Sequence, residues 1–204
     1  MRIAKGVSAL LVAVIMLTLA SVTVSRAEAA TYVIDPDHSQ VIFKVKHMGI
    51  STVTGRFDLM EGSYAFDDED ISKSSVETTI TTASINTNKQ KRDDHLKSPD
   101  FLDVAKYPAI TFKSKEVKKG NGDEFTIIGD LTINGVTKQV ELDAEYGGKA
   151  KDPMGNERTA FTAKTKIDRK DYGLTWNKTL DSGGFLVGDD VNIELNVEGI
   201  RKKG

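Results

Sequence analysis

Apolar and polar residues alternate along most of the chain from about residue 32 onwards. In the segment that follows residue 40, Val41, Phe43 and Val45 alternate with Lys44 and Lys46. The same period of two recurs in residues 76–81, 110–113, 125–133, 140–146, 161–167 and 191–197. Strands with one apolar and one polar face are typical of antiparallel sheets, in which one face contacts water. The pattern therefore predicts an all-β protein.

Short polar segments rich in glycine separate the alternating stretches. Asn134-Gly135 lies between two of them and is the strongest short-range signal for a β-hairpin. We count about eight strands in this way. Eight antiparallel strands can close into a barrel whose interior holds one small ligand, although two packed sheets would show the same alternation. The strand count and the many glycines favour the eight-stranded antiparallel barrel.

One segment, residues 85–112, interrupts the alternation. Residues 88–97 are polar and compatible with a helix. Ser98 followed by Pro99 fits an N-cap and a proline at the first helical position, and Pro108 disfavours a helical conformation at the residue before it. We therefore predict two short helices between neighbouring strands. We expect this helical insertion to cover one end of the barrel.

The start of the chain has the organisation of a secretory signal peptide. A positive beginning is followed by an apolar run over residues 7–20, and then by Ala27 and Ala29 at the spacing of a signal-peptidase site. The apolar run is shorter than the ~20 residues of a membrane span. We therefore predict a signal peptide at 1–29 and one domain at 30–204, located in the periplasm or secreted.

Charge and cysteine content exclude several classes of protein. The chain has 28 basic and 30 acidic residues, and three basic and one acidic residue precede position 30, which leaves a net charge of about −4 on the domain. No clustered basic face is present, so we expect no nucleic-acid partner. The chain has no cysteine, which excludes thiol catalysis, thiolate metal sites and disulfides. No later segment is apolar enough to span a bilayer.

Apolar and aromatic residues at inward positions are candidates to line a binding cavity. They are Phe43, Val45, Phe57, Ile80, Phe112, Leu131, Phe161 and Trp176. Taken singly, each is better explained as part of an ordinary packed core. The small residues at other inward positions are Gly129, Ala144, Ala163 and Ser84. Together they leave room in the interior, which favours a tunnel for a long apolar molecule.

Groups with catalytic or ligand-binding chemistry are few. The three histidines form no metalloprotease motif, and the chain has no nucleophile-elbow motif. A histidine together with Asp93 or Asp94 could hold a metal, but solvated or capping carboxylates explain these residues better, and we predict neither metal nor cofactor. His47 is the one plausible inward base. Arg92 and Arg169 could hold a phosphate or carboxylate head group through two hydrogen bonds.

Several motifs, in order along almost the whole domain, resemble the YceI-like family of periplasmic polyisoprenoid-binding proteins. The main matching stretches are Asp37-His38-Ser39, Gly55-Arg56-Phe57, Ser84-Ile85-Asn86-Thr87, Arg92-Asp93, His95-Leu96, Tyr107-Pro108, Gly129 to Lys138, Asp168-Arg169 and Tyr172-Gly173-Leu174. The resemblance implies an extended lipocalin-like barrel with a helical segment over one end. It further implies an isoprenoid or other long-chain lipid in the tunnel, and a homodimer, as in many members.

Three functional hypotheses follow. The first is a non-enzymatic binding protein that holds a long amphipathic lipid, with Arg92 or His47 at the head group, for transport, storage or protection during stress. The second is an enzyme that modifies lipids or small molecules and uses His47 as its base. The third is a structural module without a lipid, in which the small inward residues only accommodate large neighbours.

Overall fold

The computed structural model describes residues 29–181 and 183–203, so the predicted signal peptide lies outside the described residues except for Ala29. The described residues form eleven strands and one α-helix. The strands are β1 (Ala30–Ile34), β2 (Gln40–His47), β3 (Ser51–Phe57), β4 (Met60–Phe66), β5 (Ser75–Thr81), β6 (Ile85–Asn86), β7 (Ala109–Lys119), β8 (Glu124–Ile133), β9 (Val136–Lys151), β10 (Glu157–Asp168) and β11 (Val187–Arg201). The helix is α1 (Gln90–Lys97), and short 3-10 turns lie at Ile71–Lys73, Thr82–Ser84 and Arg169–Tyr172.

Eight of these strands close into an antiparallel barrel. The neighbours run in the order β1, β4, β5, β7, β8, β9, β10 and β11, and β11 then pairs with β1. This closure leaves no free edge in the ring, as expected for strands that alternate between an apolar and a polar face. The prediction of an eight-stranded antiparallel barrel is confirmed.

The remaining strands lengthen the barrel at one end. The last part of β11 pairs with β1, where Gly199 lies opposite Ile34, whereas its first part pairs with β2, where Val187 lies opposite His47. From β2 the sheet continues to β3 and then to β6, which follows β5 through a 3-10 turn. The strand β11 therefore joins the closed eight-stranded ring, through β1, to the extension formed by β2, β3 and β6.

The predicted hairpin at Asn134-Gly135 is confirmed. Asn134 and Gly135 connect β8 to β9 and both have positive φ, at 52° and 75°. Two left-handed residues give a turn whose twist matches that of the paired strands, which explains the preference for asparagine and glycine. The register of these two long strands, from Ile133 opposite Val136 onwards, starts at this turn.

Only one of the two predicted helices forms. The helix α1 starts two residues later than predicted, at Gln90, whereas the segment from Ser98 to Pro108 is a series of turns. Ser98 follows the C-terminus of α1 and its backbone N–H donates to the carbonyl of His95, and Asp103 has a positive φ of 42°. The left-handed residue interrupts any helix started at Pro99, so the prediction of a second helix is wrong. Within the described residues, no helix has both the length and the apolar character needed to cross a membrane.

We call the end covered by α1 the helix end, and the opposite end the aromatic end. At the aromatic end, Tyr32 stacks on Tyr64 with ring centroids 5.3 Å apart, and Phe161 meets Tyr64 edge-on at 5.2 Å. Phe66 contacts both Phe161 and Tyr146 at about the same separation, 5.1 and 5.0 Å. Such offset and edge-on pairs stabilise a core beyond the area they bury. The aromatic end is therefore held together mainly by contacts between rings.

Arg158 holds an ionic cluster beside these rings. Its Nη1 donates to Asp35 and to Glu198 at 2.6 Å each, and its Nε donates to Asp152 at 3.1 Å. His38 Nδ1 lies 2.9 Å from the same Asp35 carboxylate. Asp35 and Asp152 both have side chains that are 9% exposed. Because an unpaired charge at such a position is costly, the Arg158 guanidinium is needed to balance both carboxylates. The cluster links β1, β10, β11 and the turn before β10.

Candidate functional site: an apolar cavity in the barrel

The barrel encloses a main chamber of about 360 Å³ at the helix end. Its wall is almost entirely aliphatic and aromatic, with contributions from β2, β3, β5, β7, β8, β10 and β11, from α1 and from the segment that precedes β11. The exposed Lys46 and the half-buried His47, Arg92 and Trp176 mark the side that faces solvent. A chamber of this size and composition is typical of sites for small apolar ligands.

Nine of the ten residues predicted to bind a ligand line the main chamber. They are Phe43, Val45, His47, Phe57, Ile80, Arg92, Phe112, Leu131 and Trp176. Inward parity brings the seven strand residues to one cavity, whereas Arg92 reaches it from α1 and Trp176 from the segment that precedes β11. That they contact a ligand stays a prediction.

The tenth predicted residue, Phe161, does not line the main chamber. It faces an inner chamber of about 80 Å³ nearer the aromatic end. Four residues line both chambers and form the partition between them: Thr78, Phe112, Leu142 and Leu195. The inward orientation of Phe161 agrees with the sequence, and its contact with a ligand stays a prediction.

The small inward residues do not all provide free space. At Gly129 a Cβ would lie 2.6 Å from the ring of Phe112, so the missing side chain makes room for this ring rather than for a ligand. Ala144 and Ala163 line the inner chamber. Ser84 is not inward at all, since it lies in a 3-10 turn where its Oγ donates to the Thr81 carbonyl. The expectation that Gly129 and Ser84 leave room is therefore wrong.

Arg92 is a cation at the wall of the main chamber. Its Nε donates to Thr87 Oγ1 at 2.7 Å and its Nη2 donates to the Thr87 carbonyl at 2.9 Å. The buried carboxylate of Asp93 accepts from the backbone N–H and the hydroxyl of the same threonine. Among the described residues no carboxylate pairs with Arg92, and its Nη1 has no hydrogen-bond partner. The guanidinium is thus fixed in position with donor capacity left over.

The guanidinium of Arg169 donates its hydrogen bonds to groups of the protein itself. Its side chain is 4% exposed, and it donates to the carbonyls of Gly188, Leu174 and Trp176 and to the carboxylate of Asp189. These bonds hold the segment that carries Trp176 against the start of β11, over the chamber. The expectation that Arg169 could take a head group is not supported, because its donors already have acceptors.

The three histidines have separate roles. His47 lines the main chamber, and its imidazole has no hydrogen-bond partner in the described part of the chain. His95 also lines the chamber, its Nε2 is hydrogen-bonded to the Asp100 carboxylate at 2.9 Å, and it meets the Trp176 ring edge-on with centroids 4.7 Å apart. His38 lies at the aromatic end, in the turn between β1 and β2, where its hydrogen bond with Asp35 raises the pKa of the imidazole. The three histidines therefore do not form one site.

Asp35, His38 and Glu198 place three potential ligand atoms within 4.8 Å of one another. Arg158 donates to both carboxylates, so its guanidinium already supplies the positive charge that a metal ion would bring. Burial opposes ionisation of Asp35, but hydrogen bonds from Arg158 and His38 outweigh it and hold the pKa of this carboxyl below its usual range. These residues therefore form an ionic anchor rather than a metal centre.

Some lining residues were absent from the sequence prediction. They include Val41, Leu96, Phe101, Val191, Ile193 and Leu195. The parity of β2 and β11 already places Val41, Ile193 and Leu195 inward, so that signal was available. Phe101 lies in a turn, where no period indicates which way a side chain faces.

The fold and the cavity define the class of protein: a lipocalin-like antiparallel barrel with an apolar interior. The chain matches the YceI-like domain over residues 32–199 and belongs to the YceI-like family. It is 44% identical over 179 residues to a UPF0312 protein of Pectobacterium atrosepticum, covering 87% of this chain and 90% of that protein.

Two solved structures extend the comparison. The YceI protein of Campylobacter jejuni is 37% identical and superposes with a TM-score of 0.67, covering 78% of this chain and 90% of that one. A polyisoprenoid-binding domain of Saccharophagus degradans has a TM-score of 0.63 at 15% identity, covering 85% and 99%. The second likeness concerns the fold alone.

Proposed function

We propose that this protein is a periplasmic or secreted binding protein that holds a long amphipathic lipid, of the polyisoprenoid class, inside the barrel. The main chamber carries the proposal, because about 360 Å³ of almost wholly apolar space has a cation, Arg92, at its wall. The name of the Saccharophagus domain, which shares the fold, agrees with this ligand class. Transport, storage or protection during stress are the roles that such binding would serve.

The apolar tail supplies most of the binding energy in this proposal. Each Å² of tail surface removed from water contributes about 25 cal/mol, so a prenyl chain binds well without directional contacts. The head group then selects the orientation, because its polar atoms need partners that the aliphatic wall does not offer. Within the described residues, Arg92 Nη1 has no hydrogen-bond partner and no carboxylate pairs with the guanidinium, which favours a phosphate or carboxylate head.

The two alternative functions receive less support. An enzyme that uses His47 as a base needs a group that orients the imidazole, and no hydroxyl or carboxylate of the described residues bonds to it. A structural module without a ligand requires a filled interior, whereas the interior contains the main chamber. Binding is therefore the function that the geometry supports best.

Trp176 offers a direct test, because it is the single tryptophan of the chain and lines the chamber. We expect its emission to shift on titration with a polyprenyl phosphate, and with the polyprenol of equal length. Arg92→Gln should weaken binding of the phosphate by roughly tenfold or more and leave the alcohol unaffected, since a hydrogen bond to a charged group contributes about 1.5–3 kcal/mol.

Arg56→Gln is the matched control. Arg56 is an exposed arginine of β3 that pairs with Asp58 and does not line the chamber. An equal loss in both variants would show a general charge effect and remove Arg92 from the head-group site. If neither lipid shifts the emission of the natural protein, the binding proposal is wrong.

A further inference from the structure

The helix end carries exposed apolar side chains at the rim of the main chamber. Ile50 is 83% exposed and Met48 is 41% exposed in the turn between β2 and β3, and Phe185 is 55% exposed just before β11. The backbone N–H of Met48 donates to the carbonyl of Leu186 at 2.9 Å, so the two segments lie side by side. We call Met48, Ile50 and Phe185 the apolar rim. Exposed apolar groups that cluster in this way mark contact surfaces.

The apolar rim is continuous with the chamber. His47 and Lys46 precede the first segment, Leu186 and Val187 follow Phe185, and all four line the main chamber. A ligand that enters or leaves at this end must therefore pass the rim. This inference rests on the proposed function, in which the ligand is a lipid. A lipid that passes the rim would come from a bilayer or be delivered to one.

Basic side chains that form no ion pair within the described residues lie at the helix end. Lys46 and Lys178 are exposed beside the two rim segments, and Lys89 and Lys91 are exposed at the start of α1. None of the four forms an ion pair within the described residues. Together with Arg92 they give five unpaired positive charges at this end of a domain whose net charge is negative.

Acidic residues at the helix end are partly neutralised. Asp189 pairs with Lys170, and Asp190 pairs with Lys166. Four other carboxylates pair with no lysine or arginine of the described residues: Asp93, which bonds to Thr87, Asp94, which bonds to a glutamine amide, Asp100, which bonds to His95, and the exposed Asp181. The five unpaired cations still outnumber these four carboxylates. Apolar tips flanked by lysines are the combination that binds the interface of anionic bilayers.

We propose that the apolar rim and its lysines dock the helix end onto an anionic phospholipid surface, so that the chamber opens towards the bilayer. Ile50 and Phe185 insert between the head groups, while Lys46 and Lys178 lie at the level of the lipid phosphates. The bound orientation presents the main chamber to the lipid and points the aromatic end towards water.

Vesicle flotation tests the docking. The predicted domain, from Ala30 onwards, contains every strand and core residue described above. It is mixed with vesicles of phosphatidylcholine and phosphatidylglycerol, or of phosphatidylcholine alone. We expect binding to the mixed vesicles, weaker binding to the neutral ones, and release by salt. Ile50→Ser combined with Phe185→Ser should lower binding by roughly tenfold or more, because two apolar side chains lose their burial.

Two further variants separate the contributions. Lys46→Gln with Lys178→Gln should lower binding to the mixed vesicles by several fold and reduce its salt dependence, with no effect on neutral vesicles. Met154→Ser is the matched control, because Met154 is 77% exposed but lies in the turn between β9 and β10, at the aromatic end. An equal loss in Met154→Ser would overturn the proposal.

Ligand binding is measured separately, in the absence of vesicles, by the emission of Trp176. This measurement distinguishes a failure of the docking proposal from a failure of the proposed function. Retained ligand binding in the Ile50→Ser, Phe185→Ser variant with lost flotation supports the docking surface. If the natural protein binds lipid ligand but no anionic vesicle, docking is wrong and the proposed function stands. If it binds vesicles but no ligand, the proposed function fails and docking stands. The proposal would also be overturned if the natural protein is a dimer that does not float with vesicles, and if the double variant is a monomer. The apolar rim would then be the contact between two copies of the chain.

Discussion

The two ends of the barrel have the same strand pattern but opposite interiors. At the aromatic end, stacked and edge-on rings leave only the inner chamber of about 80 Å³, and Arg158 joins three carboxylates beside them. At the helix end, aliphatic and aromatic side chains line a chamber of about 360 Å³, and Arg92 pairs with no carboxylate of the described residues. We therefore expect the aromatic end to contribute more to stability, and the helix end to provide the room for a ligand.

The largest expected effect contrasts one phenylalanine at each end. Phe66 is 7% exposed and packs between the rings of Tyr146 and Phe161, so Phe66→Ala should lower the free energy of unfolding by about 3–5 kcal/mol. Phe43 faces the main chamber, so Phe43→Ala removes fewer contacts and should cost clearly less. Urea unfolding followed by circular dichroism measures both. Equal losses would contradict the division into a packed end and an unfilled end.

The partition between the chambers gives the second prediction. Phe112→Ala should join the 360 and 80 Å³ spaces and so increase the affinity for longer prenyl chains relative to shorter ones, by about tenfold if two or more carbons gain burial. A series of polyprenyl phosphates of increasing length, titrated against Trp176 emission, measures the preference.

Phe125→Ala is the control for the partition. Phe125 lines the inner chamber but not the main one, so its removal enlarges the inner space without opening the way to it. The chain-length preference should then stay as in the natural protein. A change of preference in Phe125→Ala, or none in Phe112→Ala, would show that the partition does not limit the ligand.

The smallest expected effect is the response of the aromatic end to acid. Hydrogen bonds from Asn156 and Arg158 lower the pKa of Asp152 to about 2, below its ordinary value of 3.8. A carboxyl with a lowered pKa in the folded state contributes stability above pH 3.8, and this contribution is lost as the pH falls towards 2. The urea midpoint should therefore decrease over this window, and Asp152→Asn should flatten the decrease. An unchanged slope in that variant would exclude Asp152 as a source of acid sensitivity.

The alternation of side chains predicted the strands, the barrel and most of the chamber wall, because inward parity is a local property. The second helix was wrongly predicted, since the sequence alone does not show that Ser98 ends α1 and that Asp103 adopts a left-handed conformation. The sequence did not show that Phe161 faces a separate inner chamber, because the partition is formed by Thr78, Phe112, Leu142 and Leu195, which come from four different strands.

The roles of the arginines needed the three-dimensional structure. Arg92 and Arg169 are both candidates for a head-group site by chemistry alone. What separates them is the set of acceptors, and those of Arg169 are mainly backbone carbonyls of segments that the sequence shows as irregular. A sequence pattern does not predict which backbone carbonyls will accept hydrogen bonds from an arginine.

Native mass spectrometry of the protein purified from its own host decides whether the barrel carries a lipid. Gentle desolvation preserves a bound lipid, and solvent extraction then identifies what the chamber contained. We predict a mass increase that corresponds to one isoprenoid lipid per barrel, and its absence after extraction. A folded protein that is consistently free of any lipid, and that takes up none when polyprenyl phosphate is added, would contradict lipid binding by the barrel.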